Sequence, residues 1–350
     1  MKILVICFSN VSNVASSVPV IDSLDRIYSE HHFTMLSQTF FKPLFEYMQH
    51  VDFIGVNVHS DYTGVWGVFR LYQRLRHEKF DAVIDLQGGR FSRFLSMLFG
   101  ISGSKRVVID NQKAAMRRLI LLGARRYRAL KSIFDRYSDA FAKVNLVSDN
   151  SFESIPVHPL QRQHIEDVYG IKSGTWLGIA PFSEARGKTL PLSKMEEVIA
   201  YFYRQSDTKI FLFGLGRHTD EVRAAWDEKF ENIVFVNDRL TTIEEELALT
   251  AQLDAMISMD SGNMHLAALT NTNVISVWGA THPFAGFLGW KQPYENCAGV
   301  SLPCRPCTAH SDKTCRYRDY HCLELIKPNT IILRTVEAID KARREHSHHV

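Results

Sequence analysis

The sequence predicts an α/β protein made of two doubly wound parallel sheets in tandem, and three observations carry that expectation. Its 350 residues exceed one ordinary domain and suit two of about 150 to 175 residues each. Short, near-continuously apolar runs recur along the chain, the pattern of strands buried on both faces. Between them lie stretches with apolar residues at helical spacing. Such an alternating order calls for helices on both sides of a parallel sheet.

In the first half the strands are expected at "KILVICF", "FTMLSQ", "DFIGVNV", "DAVIDLQ" and "RVVID". Intervening helices include Val14–Glu30, with Val18, Ile21, Leu24 and Ile27 at three-residue steps, and Gly64–Phe80. The second half repeats the theme with "TWLGIAPF", "TKIFLFG", "NIVFVN", "DAMISM" and "VISVWG". Its helices are expected at Leu192–Gln205, His218–Phe230, Ile243–Gln252 and Gly262–Leu269. Prolines, a glycine and polar residues in "IPVHPLQRQ" and "IKSGT", between 155 and 174, mark the boundary. The expected division is an N-terminal domain over 1–165, a C-terminal domain over 172–326 with a cysteine loop at 297–322, and a last helix and tail over 327–350. That helix spans Pro328–Arg344, and the tail "HSHHV" frays.

At 45% hydrophobic and 23% charged, the composition is that of a globular protein with sizeable cores. No apolar run reaches the roughly 18 residues that span a bilayer. The opening "MKILVICFSN" has no small-residue cleavage site after it, so it reads as a first strand and the expected location is cytoplasmic. The net charge of +3 hides an asymmetry: Lys105–Arg136 holds ten Lys and Arg against two Asp, a local +8, leaving −5 elsewhere. With Leu119, Ile120, Leu121 and Leu122, this stretch reads as a basic amphipathic helix. It suits an anionic membrane surface or a phosphorylated partner, or is simply a solvated helix face.

The motifs lie where strands give way to helices. In "MDSGNMHLAA" (259–268), Ser261 and Gly262 open a helix whose free N–H groups and positive dipole end bind phosphate readily. Asp260 can accept from sugar hydroxyls, and His265, one turn in, can donate to a phosphate oxygen. Asp260 as a plain N-cap over a half-buried His265 accounts for the same letters. In "APFSEARGKTLPLSKMEEVI" (180–199), Ser183 and Lys188 occupy a strand-end loop, the lysine placed to neutralise a diphosphate, and Ser193 is the expected helix cap. "FGLGRHTDE" offers Gly214 and Gly216 but Thr219 where a dinucleotide fingerprint has its third glycine; Glu221 is a candidate for a ribose hydroxyl. The corresponding first-half segments are "FSNVSNVASSVP" and "DLQGGRFSR", the latter putting Asp85, Gln87 and Arg90 at a strand end for an acceptor, or as ordinary caps. Tandem sheets of this kind are expected to leave a cleft between their carboxyl edges, where all of these residues fall.

Cys304, Cys307, Cys315 and Cys322 cluster in "CRPCTAHSDKTCRYRDYHC", with only one CxxC pair. In a cytosolic chain this points to a structural metal such as zinc more than to disulfides, with free or redox-sensitive thiols as the other reading. Cys7 lies in a core strand as a small buried hydrophobe.

Taken in order, these segments resemble glycosyltransferase family 9, the lipopolysaccharide heptosyltransferase family, over nearly the whole chain. The similarity rests on "MKILVICFSNVSNVASSVPVIDSL", "VDFIGV", "DAVIDLQGGRFSR", "FDRYSDAF", "GKTLP", the cysteine loop and, most specifically, "MDSGNMHLAALTNTNVISVWGATHP". The resemblance implies a GT-B fold, two Rossmann-like domains with the nucleotide-sugar on the C-terminal one. It implies transfer of a heptose from an ADP-linked donor, with inversion and without a catalytic metal, to an anionic lipopolysaccharide-core acceptor. By position it assigns Ser183, Lys188, Asp260, Ser261, Gly262 and His265 to the diphosphate and sugar, and Glu221 to the ribose. One departure stands out. The family's first loop carries Gly-Asp, its aspartate acting as general base on the acceptor; here those positions are Ser12 and Asn13. An amide cannot take a proton in the transition state, and loss of a positioned base costs about 10²- to 10⁴-fold. Three outcomes follow: Asp85 substitutes, the acceptor is acidic enough or is assisted by its own phosphate, or the chain binds a nucleotide-sugar without transferring it. A metal-stabilised nucleic-acid or membrane adaptor is the remaining class. The expected partners are a nucleotide-sugar and an anionic glycolipid, with peripheral contact at the inner membrane and no nucleic acid.

Overall fold

The computed structural model describes residues 1–8, 10–58, 60–231, 233–309 and 314–347, with side chains as far as Arg344. The chain forms two compact units, Met1–Lys113 with Lys131–Glu153, and Ala114–Leu130 with Ser154–Val350. The division falls at 153/154, ahead of the proline-rich 155–174 stretch, because Ile155 already donates its N–H to Leu269 O at 2.8 Å in the second unit. The tail expected to fray (346–350) and residues 310–313 of the cysteine loop lie outside the described side chains.

The first unit runs β1 (Lys2–Ile6), α1 (Val11–Ile27), β2 (His32–Ser37), β3 (Val51–Gly55), α2 (Gly64–Leu75), β4 (Ala82–Asp85), α3 (Arg90–Ile101) and β5 (Lys105–Val108). After α4 (Lys113–Leu122), which packs in the other unit, α5 (Ile133–Ala142) completes it. The strands are all parallel, in the order β3-β2-β1-β4-β5. Ile3, Leu4, Val5 and Ile6 are fully buried, as the continuous apolar run requires of a central strand covered on both faces. Strand order reverses between β1 and β4, whose carboxyl ends sit side by side with Ile6 opposite Asp85. Asn10–Asn13 and the 86–90 turn therefore flank a switch point, the place where ligands enter such sheets. Helix α1 starts three residues ahead of the expected Val14 because Asn10 Oδ1 accepts the Asn13 N–H at 3.2 Å and caps it.

The second unit holds α6 (Pro159–Tyr169), β6 (Thr175–Ala180), α7 (Leu192–Tyr203), β7 (Thr208–Leu212), α8 (Thr219–Trp226), β8 (Ile233–Phe235), α9 (Ile243–Thr250), β9 (Ala255–Met259), α10 (Gly262–Leu269), β10 (Val274–Val277), β11 (Cys297–Ala298), α11 (His321–Glu324) and α12 (Pro328–Ser347). Its parallel sheet has the order β11-β10-β9-β6-β7-β8, so the reversal falls between β6 and β9. Trp176, Trp226 and Trp278 are among its largest fully buried side chains. Helix α10 is apolar on nearly every side: Met264, Leu266, Ala267, Ala268 and Leu269 are all buried. Each such side chain contributes roughly 1.5–3 kcal/mol for the larger members, which locks the helix start against β9.

The segment 105–136 does not form one amphipathic helix. It is divided into β5, the ten-residue α4, an irregular stretch and α5. Met116 and Leu119 of α4 pack with Ala285, while Leu121 remains 83% exposed. Gly123 ends the helix at φ +74, and a Cβ there would lie 3.0 Å from Pro303 O and 3.2 Å from Arg305 O, so only glycine fits without strain. Its basic residues Arg117, Arg118, Arg126 and Arg128 are exposed. Among the described residues no helix is long and apolar enough to cross a membrane.

Candidate functional site

The β6/β9 switch point gathers most of the polar residues singled out in the second half. Ala180, the last residue of β6, stands opposite Ser258 of β9, so the chain leaves both strands at one spot. After β6 it runs through Phe182 and Ser183 into a single 3₁₀ turn, Arg186–Lys188. After β9 it passes Asp260 and Ser261 into α10. Lys188 Nζ lies 2.9 Å from Asp260 Oδ2, the two side chains 16% and 8% exposed. Thr281, beyond β10, donates its hydroxyl to the same oxygen at 2.7 Å. Ser183 donates its hydroxyl to Asp260 O at 3.3 Å. One carboxylate thus ties together the segments leaving β6, β9 and β10.

Asp260 is not the cap of α10. Ser261 holds that position and makes no capping hydrogen bond, its hydroxyl lying 3.3 Å from that of Ser258. Ser261 thus gives the first-turn amide hydrogens of α10 no capping acceptor, and a half-buried Gly262 leaves that turn open to close approach. His265, one turn in, is buried, and burial pushes its imidazole down to about 4, the Asp260 carboxylate pulling up and the Lys188 charge pushing down. The ring is therefore neutral at neutral pH, a hydrogen-bonding group and not a cation. Chemically, a half-enclosed ammonium beside uncapped helix amides suits an anion.

The Gly214 turn supports this arrangement from the side. Gly214 has φ +61, and a Cβ would come within 2.1 Å of Asn263 Nδ2 in the first turn of α10. Glu221 is exposed and pairs with His218 Nδ1 at 3.0 Å. His218 in turn stacks on Phe182, ring centroids 4.1 Å apart and nearly coplanar, a platform that the sequence patterns did not reveal. Ser193, expected as the cap of α7, lies inside its first turn; Pro191 precedes the helix with no side-chain cap.

In the first unit the predicted residues fall around the β1/β4 switch point with different exposures. Asn13 is half-buried in the first turn of α1, its backbone carbonyl accepting from the Tyr137 hydroxyl at 3.2 Å, and Ser12 O accepts from Ser16 at 2.7 Å. Asp85 is fully buried and organises a turn, Oδ1 accepting the N–H groups of Gln87 at 3.0 Å and Gly88 at 2.8 Å. Burial raises its carboxyl above the usual range, opposed by the Gly88 amide, the Ser92 hydroxyl, the Gln87 amide and the Arg93 charge. Gln87 Oε1 accepts the Phe8 N–H at 3.1 Å and so braces the end of β1. Arg90, the first residue of α3, is exposed.

Sequence reasoning missed Arg305. Its place inside "CRPC" hid it, since the cysteine spacing draws the eye. The guanidinium is 3% exposed and donates to four carbonyls: Gly279 O at 2.5 Å, Trp278 O at 2.6 Å, Thr281 O at 3.0 Å, and Val300 O. It fixes the chain leaving β10, and with it Thr281. The neighbouring cysteines are free thiols, Cys304 exposed, Cys307 and Cys315 half-buried, and Cys322 buried in the core beside Leu323 and Ile326. Among the described residues no three His, Cys, Asp or Glu side chains are grouped to hold a metal ion. Cys7 is a fully buried strand-end residue, as expected.

Two parallel-sheet α/β units, each with its polar residues at the switch point, define a GT-B-type glycosyltransferase fold. The chain belongs to glycosyltransferase family 9 (heptosyltransferase), whose family pattern matches residues 68–321. Over 178 residues it is 27% identical to lipooligosaccharide heptosyltransferase 2 of Campylobacter jejuni subsp. jejuni serotype O:2, covering 50% of this chain and 52% of that protein. The chain thus spans about half the length of the curated relatives it matches. The E. coli ADP-heptose lps heptosyltransferase II structure superposes with a TM-score of 0.70 at 18% identity, over 98% of this chain and 100% of that one. A family 9 glycosyltransferase of Veillonella parvula DSM 2008 gives 0.76 at 16% identity, over 97% of both chains.

Proposed function

We propose that the protein transfers a heptose from ADP-heptose to an anionic lipopolysaccharide-core acceptor, inverting the anomeric centre. The observation that carries this reading is the Lys188–Asp260–Thr281 cluster beside the uncapped start of α10. In it the diphosphate takes hydrogen bonds from the α10 amides and charge from Lys188, while Asp260 holds the ammonium in place until the ligand arrives. The ammonium and the amide dipoles, not a metal ion, offset the leaving-group charge in this reading. Ser183, Ser261, Gly262 and His265 line the same anion, and Glu221 takes the ribose. Gln87 and Arg90 serve the acceptor, and the exposed arginines of 117–128 approach the anionic inner-membrane surface from the cytoplasmic side. Family membership and the name of the E. coli structural neighbour support ADP-heptose as donor. The test is ADP release from ADP-heptose with and without a core acceptor, alongside calorimetry with ADP. Absence of heat with ADP would end the proposal.

A second reading is a nucleotide-sugar-binding homologue without transfer, and one residue favours it: Asn13 stands half-buried at the position where a base is expected, with an amide that takes no proton. Asp85 is poorly placed to replace it, being enclosed with its Oδ1 committed to the turn. If base loss limits the native chain, Asn13→Asp raises turnover by about 10²-fold or more. Unchanged turnover in the variant would show that the transfer proceeds without a carboxylate at this position.

A further inference from the structure

A cavity of about 240 Å³ lies in the second unit, lined by neither Lys188 nor Asp260. Its walls include Arg125 after α4, Trp278 and His282 after β10, Ser301, Arg305, and Arg334 of α12. Three guanidinium groups line it and, among the described residues, no Asp or Glu does. Arg305 is 3% exposed and donates to four carbonyls, and among the described residues its charge has no carboxylate partner. Arg334 has its Nη1 buried without a hydrogen-bond partner. Arg125 grips Ser301, its Nε donating to Oγ at 2.7 Å and its Nη2 to the backbone carbonyl at 2.9 Å. A charge removed from water is costly unless it is paired, and here positive charges converge on one space without a carboxylate among them.

We propose that this cavity is a binding site for a small oxyanion of the phosphate type, held by Arg334 and Arg125 in the field of Arg305. Its volume is below the roughly 300–1,000 Å³ of pockets that enclose drug-sized ligands, so a nucleotide does not fit and a lone phosphate group does. Arginine's planar fork suits such an anion. His282 adds no charge of its own: burial, and then Arg305, push its imidazole down to about 4, and its Nδ1 accepts the Phe284 N–H at 3.1 Å. The site is also linked to the switch-point cluster, since Arg305 holds Thr281 O and Thr281 holds Asp260. An anion at Arg334 therefore steadies the loop that positions Asp260.

The experiment is calorimetric titration of the full chain with inorganic phosphate and, separately, glycerol phosphate, in the presence of saturating ADP. ADP occupies the switch-point site, so the two sites are read apart. The expected result is one further phosphate site whose affinity falls about tenfold or more in Arg334→Gln, the loss of one charge-assisted contact. Arg125→Gln, at an exposed position, weakens it as well, and Lys188→Met leaves it unchanged. Tighter binding of the monoester assigns the ligand to a phosphorylated metabolite; preference for the free ion assigns inorganic phosphate. No heat at millimolar phosphate, or a site lost in Lys188→Met and retained in both arginine variants, overturns the proposal. Should Arg334→Gln fail to fold, Arg125→Gln decides alone.

Discussion

Replacing Arg305 by methionine tests whether one buried guanidinium holds the chain beyond β10. The side chain donates to Gly279, Trp278, Thr281 and Val300 carbonyls. Methionine fills similar length but donates nothing, so these oxygens lose a charged donor at once. Hydrogen bonds to charged groups contribute about 1.5–3 kcal/mol each, but desolvating the arginine offsets part of that sum. Water entering the adjoining cavity satisfies some of the exposed carbonyls. A net loss of about 3–5 kcal/mol follows, in the range found when one member of a buried charged network is removed. At ~2–4 °C per kcal/mol for a body of 150–250 residues, thermal melting falls by roughly 6–20 °C. Arg305→Lys keeps a charge but cannot reach four carbonyls, so it melts between the two. The assay is scanning calorimetry, with ADP affinity measured below the transition. A melting point for Arg305→Met within about 2 °C of the native value would refute the bracing role, because no buried carbonyl would then depend on the guanidinium.

Three further outcomes are expected. Lys188→Met weakens ADP binding about 10- to 100-fold by calorimetry, the equivalent of one charge-assisted contact to the diphosphate; an unchanged Kd removes the lysine from the site. His265 is neutral when folded, at about 4, while the unfolded ring protonates near 6.5. The unfolded state therefore binds more protons between those values, and stability, complete above about pH 6.5, falls by on the order of 3 kcal/mol as pH drops toward 4. Urea titrations across that window, repeated with His265→Gln, check this: the variant's slope with pH is shallower by that amount, His282 still acting in the same direction and Glu246, raised by burial to about 7, in the opposite one. Gly123→Ala, forced to φ +74 and against Pro303 O, loses about 1–3 kcal/mol in the same denaturation assay; a neutral result would mean the 303–305 loop yields freely.

The strands were legible because a parallel sheet covered on both faces writes continuous apolar runs, and Gly262–Leu269 was read to the residue because β9 and β10 bracket it. Boundaries set by side chains were not. Asn10 moved the start of α1, and Pro191 replaced Ser193 at the start of α7. Two-residue β11 is too short to leave a periodic trace. At the site, Ser183, Lys188 and Asp260 could be nominated since each follows a strand whose end is visible in the sequence. Thr281 and Arg305 could not, because their roles depend on pairings with Asp260 and with carbonyls 5 to 27 positions away. The basic stretch misled for a related reason: its charge is a local property, whereas what divides it is Gly123 meeting a loop 180 residues further on.

The placement of α4 has a consequence for how the polypeptide matures. Residues up to Glu153 contain everything the first sheet needs, and α4 adds nothing to it: its apolar residues Met116 and Leu119 wait for Ala285. At synthesis rates of about 5–20 residues per second, that partner emerges from the ribosome roughly 10–30 s after the helix does. A nascent chain therefore carries an unpartnered greasy turn flanked by arginines on an otherwise finished lobe. Fragments stopped at 153 inherit the same exposed turn, and they are expected to aggregate or recruit chaperones where a fragment with Met116 and Leu119 made polar stays dispersed.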